Sequence, residues 1–169
     1  MFIDQTWDVI RHQKELNLPD QRQMVANFRC TEIKNEAIES VNSLINELKV
    51  NAEKAIIVNF LEKCTTIVKT AQEYFDSNAN QYQGAVFMKV HDELQEQLYQ
   101  SLYLSFSAQL KIIKQQVFDK FDISIRNINK KDSVNDIFIT QTNQMLKAML
   151  HEFEETSKKL ILEGSAWAN

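Results

Sequence analysis

Glycine and proline are almost absent from this chain, and their scarcity limits the folds that it can adopt. The 169 residues include two glycines, Gly84 and Gly164, and one proline, Pro19. Tight turns and strand-rich folds depend on these residue types, because glycine reaches positive φ and proline fixes φ. The composition therefore predicts an all-α fold, and the 44% hydrophobic content is enough for the core of one domain.

Apolar residues recur at helical spacing through most of the chain. Four such patterns cover residues 20–48, 57–75, 86–121 and 133–164. We predict four long helices of about 25 to 37 residues from them, and short connections make antiparallel neighbours the simplest topology. The expected architecture is an elongated antiparallel bundle of about four long helices, with a short N-terminal helix before it.

Polar segments separate these patterns. Residues 76–85 and 128–136 collect turn-forming side chains and are predicted loops. Residues 49–54 are either a helix reversal or a polar part of a longer helix, because they contain neither glycine nor proline. In the first long helix, Met24, Val25 and Phe28 open the apolar stripe, so we expect them on its buried face.

The single proline divides the start of the chain from the rest. The φ of Pro19 suits the first turn of a helix, so we expect a long helix to begin there. We assign residues 1–19 to a short helix that would join a preceding domain, and residues 20–169 to the helical bundle.

Four apolar side chains near the two ends of the chain have no evident core partner in their own segments. They are Phe2, Trp7, Ile10 and Trp167. Apolar anchors of this kind are typical of interfaces, so we expect them, together with Pro19, to contact another domain or a partner.

The two cysteines, Cys30 and Cys64, lie inside helical patterns and are expected to be free thiols in a reducing compartment. Cys64 falls on an apolar stripe, which favours a buried structural role over a nucleophile. Next to Cys30, the charged residues Arg29 and Glu32 are either part of a partner surface or an ordinary salt-bridged helix face.

The sequence offers little for catalysis. A nucleotide-binding P-loop needs clustered glycines followed by lysine and serine or threonine, and Gly84 and Gly164 stand far apart. His151 and Glu155 lie one helical turn apart, but they lack the spacing of zinc-peptidase or di-iron motifs, so a solvated helix face is favoured. His91, next to Asp92 and Glu93, is interpreted in the same way. We therefore expect no catalytic residue, cofactor or metal in this chain.

Charge and hydropathy also restrict the partners. The net charge is −4, with no basic patch suited to nucleic acid, so no nucleic-acid partner is expected. No apolar run approaches the length of a membrane span, so we expect a soluble segment that does not itself insert into a bilayer.

A family resemblance appears in the first 33 residues. The pattern F-x4-W-x2-I, then LxLPxQ, then FRCxEI, is carried here by Phe2, Trp7, Ile10, Leu16, Leu18, Pro19, Gln21, Phe28, Arg29, Cys30, Glu32 and Ile33. It resembles the start of the helical middle domain in the fungal and plant atlastin-like GTPases of the root hair defective family, and most closely a fungal member. Residues beyond about 80 match that stalk by their helical character rather than by motif.

The resemblance implies a stalk in a protein that fuses endoplasmic-reticulum membranes by GTP-dependent dimerisation. It implies a GTPase domain with GTP and Mg²⁺ before this segment, a membrane hairpin after it, and a position on the cytosolic face of the endoplasmic reticulum. The implied partners are the chain's own GTPase domain and a second copy of the full-length protein. This segment would then couple movement of the GTPase domain to membrane tethering, with the region before Pro19 as the pivot.

Two other functions are compatible with the sequence. An independent helical adaptor or tethering bundle would bind partner helices. A bundle enzyme with a metal core would need inward-facing carboxylates and histidines, which the apolar stripes do not supply.

Overall fold

The computed structural model describes the backbone of residues 2–82, 84–129 and 135–167, and side chains within 21–82, 84–127 and 138–167. Four α-helices follow one another: α1 (Phe2–Lys54), α2 (Phe60–Ala79), α3 (Ala85–Asn129) and α4 (Asn135–Lys158), with a short 3-10 helix (Asn80–Tyr82) after α2. The described residues contain no strand. The predicted all-α class is confirmed.

Helix α1 passes through Pro19 without a break, so the prediction of a helix start at this residue was wrong. The short N-terminal helix expected from the sequence is the first part of α1. A proline inside a helix removes one backbone donor and crowds the preceding turn, which bends or breaks some helices but allows others to continue. The role of residues 1–19 as a linker stays a prediction.

The first reversal of the chain, which we call the elbow, comprises residues 52–59. Helix α1 continues to Lys54, so residues 49–54 are its last turns rather than a loop. Asn59 has a φ of 58°, and its carbonyl accepts a hydrogen bond from the Lys63 amide over 3.1 Å, which starts α2. Asparagine tolerates this left-handed conformation better than most residues, so the chain turns here without glycine.

The second connection, at Gly84, is shorter than the predicted loop 76–85, because residues 76–79 are the last turn of α2 and Asn80–Tyr82 form the 3-10 helix. Gly84 has a φ of 126°, and its carbonyl accepts from the Met88 amide at the start of α3. Helix α3 ends at Asn129 and α4 begins at Asn135, and the predicted loop 128–136 lies mostly outside the described residues. Helix α4 ends at Lys158, before the expected end at Gly164, and residues 159–167 follow it as a non-helical C-terminal segment.

The chain divides into two compact units. The first comprises Met1–Asn42 and Val68–Leu98. Its core consists of small and apolar side chains from α1, α2 and α3: Cys30, Ala37, Val41, Val68, Ala71, Phe75, Ala79, Val90, Leu94 and Leu98. Met24, Val25 and Phe28 are 69%, 57% and 63% exposed, so the expectation that they face the core was wrong.

The second unit comprises Ser43–Ile67 and Tyr99–Asn169. All four helices contribute to it, and the C-terminal segment adds two buried leucines. Its core contains Ile45, Leu48, Ala52, Phe60, Cys64, Ile67, Leu102, Phe106, Ile113, Val117, Leu160 and Leu162. Within the described part of the chain, no helix is long and apolar enough to cross a membrane.

Candidate interaction site

Four of the predicted contact residues belong to the beginning of α1. The side chains of Phe2, Trp7, Ile10 and Pro19 lie outside the described residues, although the helix backbone includes them. Their role in contacting another domain therefore stays a prediction.

Arg29 and Glu32 form an exposed ion pair on α1. The Arg29 guanidinium donates to a Glu32 carboxylate oxygen over 2.8 Å, three residues along the same helix. This carboxylate, with a smaller contribution from the Tyr82 side chain, raises the pKa of Arg29 above its ordinary value. The arrangement fits the ordinary salt-bridged helix face that the sequence favoured, with an added link to the 3-10 helix.

Two polar contacts join α1 to its neighbours in the first unit. The Nζ of Lys34, which is 7% exposed, lies 3.0 Å from a Glu93 carboxylate oxygen on α3. The Tyr74 hydroxyl on α2 donates to the Glu36 carboxylate over 3.0 Å, and that bond raises the pKa of Tyr74. Both contacts position α1 against the other helices.

Both cysteines are buried and free. Burial raises the pKa of the Cys30 thiol, and it raises the pKa of the Cys64 thiol to about 12. Since the thiolate is the nucleophilic form, neither environment suits a reactive cysteine. The prediction that Cys64 is buried is confirmed, and Cys30 is buried as well.

The histidine candidates form no metal centre among the described residues, where no group of three possible ligands gathers. The His91 ring packs edge-on against Phe75 and stacks on Phe87, with centroids 5.9 and 6.1 Å away, and its Nε2 lies 3.8 Å from an Asp76 oxygen. It is therefore part of an aromatic cluster in the first unit. The interpretation of His91 as a solvated helix residue was wrong, because the turn after α2 brings Phe75 beside it.

Trp167 has a packed environment that the sequence did not reveal. The centroid of its indole lies 5.9 Å from the ring centroid of Tyr99, 5.8 Å from that of Tyr103 and 5.3 Å from that of Phe106, all on α3. The Tyr99 hydroxyl also donates to the Glu163 carbonyl over 3.1 Å. The expectation that Trp167 lacks a core partner was wrong, because the C-terminal segment folds back onto α3. A role for it in contacting a partner stays a prediction.

Gln109 is the key polar residue that the sequence analysis missed. Its side chain is fully buried on α3 and makes three hydrogen bonds to the elbow. Nε2 donates to the carbonyls of Ala52 and Ala55 over 2.9 and 2.8 Å, and Oε1 accepts from the Ile57 amide over 2.7 Å. The amide therefore satisfies carbonyls at the end of α1 that lack helical partners.

A signal for this residue existed in the sequence. Gln109 lies three residues after Phe106 and four before Ile113, on the apolar face of α3. Leu110, the next residue, also satisfies the helical spacing of this pattern, but it is only half-buried. A glutamine in the middle of an apolar stripe indicates a buried amide with specific partners, since a buried polar group without hydrogen bonds is costly.

Residues 58–169 match the protein family described as the Sey1 three-helix bundle domain. Protein SEY1 homolog 1 of Paramecium tetraurelia is 27% identical, covering 98% of this chain and 22% of that protein. Protein ROOT HAIR DEFECTIVE 3 homolog 1 of Arabidopsis thaliana is 28% identical, with coverages of 97% and 20%. Protein sey1 of Talaromyces stipitatus is 26% identical, with coverages of 99% and 20%.

The chain spans about a fifth of the length of the curated relatives that it matches. No solved structure matches it. The family resemblance seen in the first 33 residues is confirmed, because plant and fungal relatives align over nearly the whole chain. The fungal source stays a prediction, because this chain is about as similar to the Paramecium relative as to the Talaromyces relative, at 27% and 26% identity.

Proposed function

The chain belongs to the Sey1 three-helix bundle domain family, and we propose that it is the helical stalk of a GTPase that fuses endoplasmic-reticulum membranes. In this proposal the stalk couples movement of a GTPase domain to membrane tethering. The observation that carries it is the family match over residues 58–169, about two thirds of the chain.

The packing of the helices supports a mechanical role. Helix α1 has 53 residues and α3 has 45, which correspond to about 80 and 70 Å of helix at 1.5 Å per residue. Within the first unit Lys34 and Glu93 tie α1 to α3, and within the second unit Gln109 ties α3 to the elbow. Long helices that are joined by side-chain contacts of this kind can transmit a displacement along their length.

The rest of the proposal concerns the longer protein. Its GTPase domain would bind GTP and Mg²⁺ and act as the hydrolase, on the cytosolic face of the endoplasmic reticulum. The partners would be this GTPase domain and a second copy of the full-length protein. The residues of the present chain do not suit nucleotide binding. Gly84 and Gly164 are its only glycines, and a phosphate-binding loop needs several glycines close together.

The proposal is tested by reconstituting the full-length protein in vesicles and measuring lipid mixing and GTP hydrolysis together. Pro19→Ala restores a backbone donor inside α1 and stiffens the helix where we expect the pivot. We expect a severalfold loss of lipid mixing with GTP hydrolysis nearly unchanged. Gln23→Ala, at an exposed position one turn further along α1, is the matched control and should leave both rates unchanged.

Trp7→Ala is a second variant for the same assay, and it removes one of the predicted interdomain anchors. It should also lower lipid mixing more than hydrolysis. A protein that loses both rates equally in the Trp7 and Pro19 variants would contradict a coupling role for this segment.

A further inference from the structure

The second unit contains an open groove between the end of α1 and the beginning of α2. Its volume is about 540 Å³. Leu48 and Ile67 form the buried floor, Leu44 lies at one end, and Val58 lies at the elbow end. Leu44 is 43% exposed and Val58 is 79% exposed, the highest value among the large hydrophobic side chains that the structure describes. The groove therefore presents apolar surface that the chain itself leaves uncovered.

The shape of the groove selects for an α-helix. The α1 wall is lined at positions 44, 47, 48 and 51, and the α2 wall at 62, 63, 66 and 67, with residue 59 of the elbow between them. Both sets follow the three- and four-residue spacing of one helix face, which receives the side-chain ridges of a third helix. The α1 positions span about two helical turns, so the complementary ligand is about two turns long.

The frame of the groove is held in place before any ligand arrives. Gln109 fixes the backbone of the elbow through hydrogen bonds to Ala52, Ala55 and Ile57. Val58, directly after Ile57, projects from this fixed segment. A preformed apolar anchor lowers the entropy cost of association.

The charges at the rim define the chemistry of the ligand. Glu47 lines the α1 wall, and Glu62 and Lys63 line the α2 wall. Glu47 and Glu62 make no ion pair with the described residues, unlike Glu32, Glu93 and Glu152, which pair with a lysine or an arginine. Two unpaired carboxylates against one lysine favour a basic partner.

We propose that this groove binds an amphipathic α-helix of a partner protein, with apolar side chains on successive turns and lysine or arginine beside them. The apolar face covers Leu44, Leu48 and Val58, and the basic side chains pair with Glu47 and Glu62. This inference goes beyond the stalk function and does not depend on it. The exposed apolar stripe of α4, with Ile139, Leu146 and Leu150, is a single helix face and lacks the two walls of the groove.

The test uses two synthetic helical peptides as probes, each about fourteen residues long. Both carry leucines at four-residue spacing, and one has lysines beside the leucines where the other has glutamates. Binding to the full chain is followed by amide chemical shifts in NMR titrations. We expect the lysine peptide to bind at least tenfold more tightly, with shifts centred on residues 44–51 and 58–67.

Three variants locate the site. Val58→Asp should weaken the lysine peptide at least tenfold, whereas Leu150→Ser on the α4 stripe should not. Glu47→Gln combined with Glu62→Gln changes exposed side chains and keeps their size, so the fold is retained. This pair should bring the affinities of the two peptides to within about threefold of each other.

Several results would overturn the proposal. They are equal affinity of the two peptides for the unmodified chain, no binding of either peptide, or shifts centred away from the groove. Concentration-dependent shifts of the groove residues without peptide would show that a second copy of the chain occupies it instead. Shifts produced by phosphatidylserine vesicles and lost in Val58→Asp would assign the groove to a lipid surface.

Discussion

The Nε2 of Gln109 on α3 donates a hydrogen bond to the carbonyl of Ala52 over 2.9 Å, inside the second unit. The residues are 57 positions apart in the sequence, and the bond is buried. One side chain on a distant helix therefore completes the end of α1. The identity of residue 109 determines how well the first reversal of the chain is held.

Gln109→Leu should destabilise the chain more than its small change in size suggests. Leucine leaves the carbonyls of Ala52 and Ala55 and the Ile57 amide without their partners. The Ala52 carbonyl is buried, and an unsatisfied buried group costs about 1–3 kcal/mol, whereas the part-buried bonds of Ala55 and Ile57 add less. We expect a loss of about 3 kcal/mol in the free energy of unfolding, measured by urea denaturation. Gln115→Leu is the control, because Gln115 is exposed and bonds only to Asp119 one turn away on the same helix. A loss below 1 kcal/mol for Gln109→Leu would show that the amide contributes little.

Lys34 should tolerate methionine better than alanine. Its buried stem packs in the first unit while its ammonium pairs with Glu93 at 3.0 Å. Methionine keeps most of the packing and removes a charge that is costly to bury. We therefore expect the free energy of unfolding to change by no more than about 1 kcal/mol. Alanine removes both the packing and the ion pair, and we expect the free energy of unfolding to fall by about 2 kcal/mol. Thermal unfolding of both variants tests this order. Lys69→Ala, in an exposed pair with Glu73, should cost less than about 0.5 kcal/mol.

Replacing Asn59 with glycine should leave the stability almost unchanged, whereas replacing it with valine should lower the stability. Its φ of 58° lies in the left-handed region, which glycine enters freely and β-branched residues enter at a cost of about 1–2 kcal/mol. Asn59→Gly should therefore stay within about 0.5 kcal/mol of the original stability, whereas Asn59→Val should lose about 1–2 kcal/mol. Chemical denaturation of the two variants gives the comparison. Equal stabilities would mean that the elbow adopts another backbone conformation in solution.

Trp167→Ala should weaken the second unit. The indole contacts three rings of α3 but remains partly exposed, so we expect a loss of about 2 kcal/mol, below the 3–5 typical of fully buried aromatics. Urea denaturation followed by circular dichroism measures the loss without relying on tryptophan fluorescence. Leu104→Ala, at a 55% exposed position of α3, is the control and should cost about 0.5 kcal/mol or less.

The buried thiols should make stability fall at alkaline pH. The pKa of Cys64 is raised from its ordinary value of 9.0 to about 12, so the folded state keeps its proton where the unfolded state releases it. The stability from this group is complete below pH 9 and is lost as the pH rises toward 12. The slope approaches about 1.4 kcal/mol per pH unit for one thiol.

This pH dependence is measured by urea unfolding at several values between pH 8 and 10.5. Cys64→Ala should flatten the fall, although it also lowers stability at every pH because it removes core volume. Adding Cys30→Ala should flatten it further, since burial also raises the pKa of Cys30. Identical slopes in all three proteins would show that other groups control the alkaline loss.

The fold class could be predicted because it depends on composition and on the spacing of apolar residues. The turn at Gly84 was visible because turn-forming residues gather there, although the predicted loop 76–85 began too early, inside α2. Of the two alternatives for residues 49–54, the structure shows the polar part of a longer helix. The reversal is completed at the elbow, where Asn59 adopts positive φ and Gln109 supplies the missing hydrogen bonds. Asparagine permits positive φ without requiring it, and Gln109 lies more than 50 positions after its partners, so the local sequence did not locate the turn.

A second limit of sequence patterns explains the side chains whose surroundings were predicted wrongly. Met24, Val25 and Phe28 satisfy helical spacing, yet the buried face of α1 in the first unit passes through Cys30, Lys34 and Ala37. Periodicity identifies a possible stripe but does not say which face meets the neighbouring helices. Trp167 was misjudged because its partners on α3 lie more than 60 positions earlier in the sequence.

The division into two units has a consequence for how the protein folds during synthesis. The first unit combines Met1–Asn42 with Val68–Leu98, and the chain supplies part of the second unit between these segments. The pair Lys34–Glu93 joins residues 59 positions apart. On the ribosome, α1 must therefore wait for α3 before its core can close, and no single cut in the chain would release either unit intact.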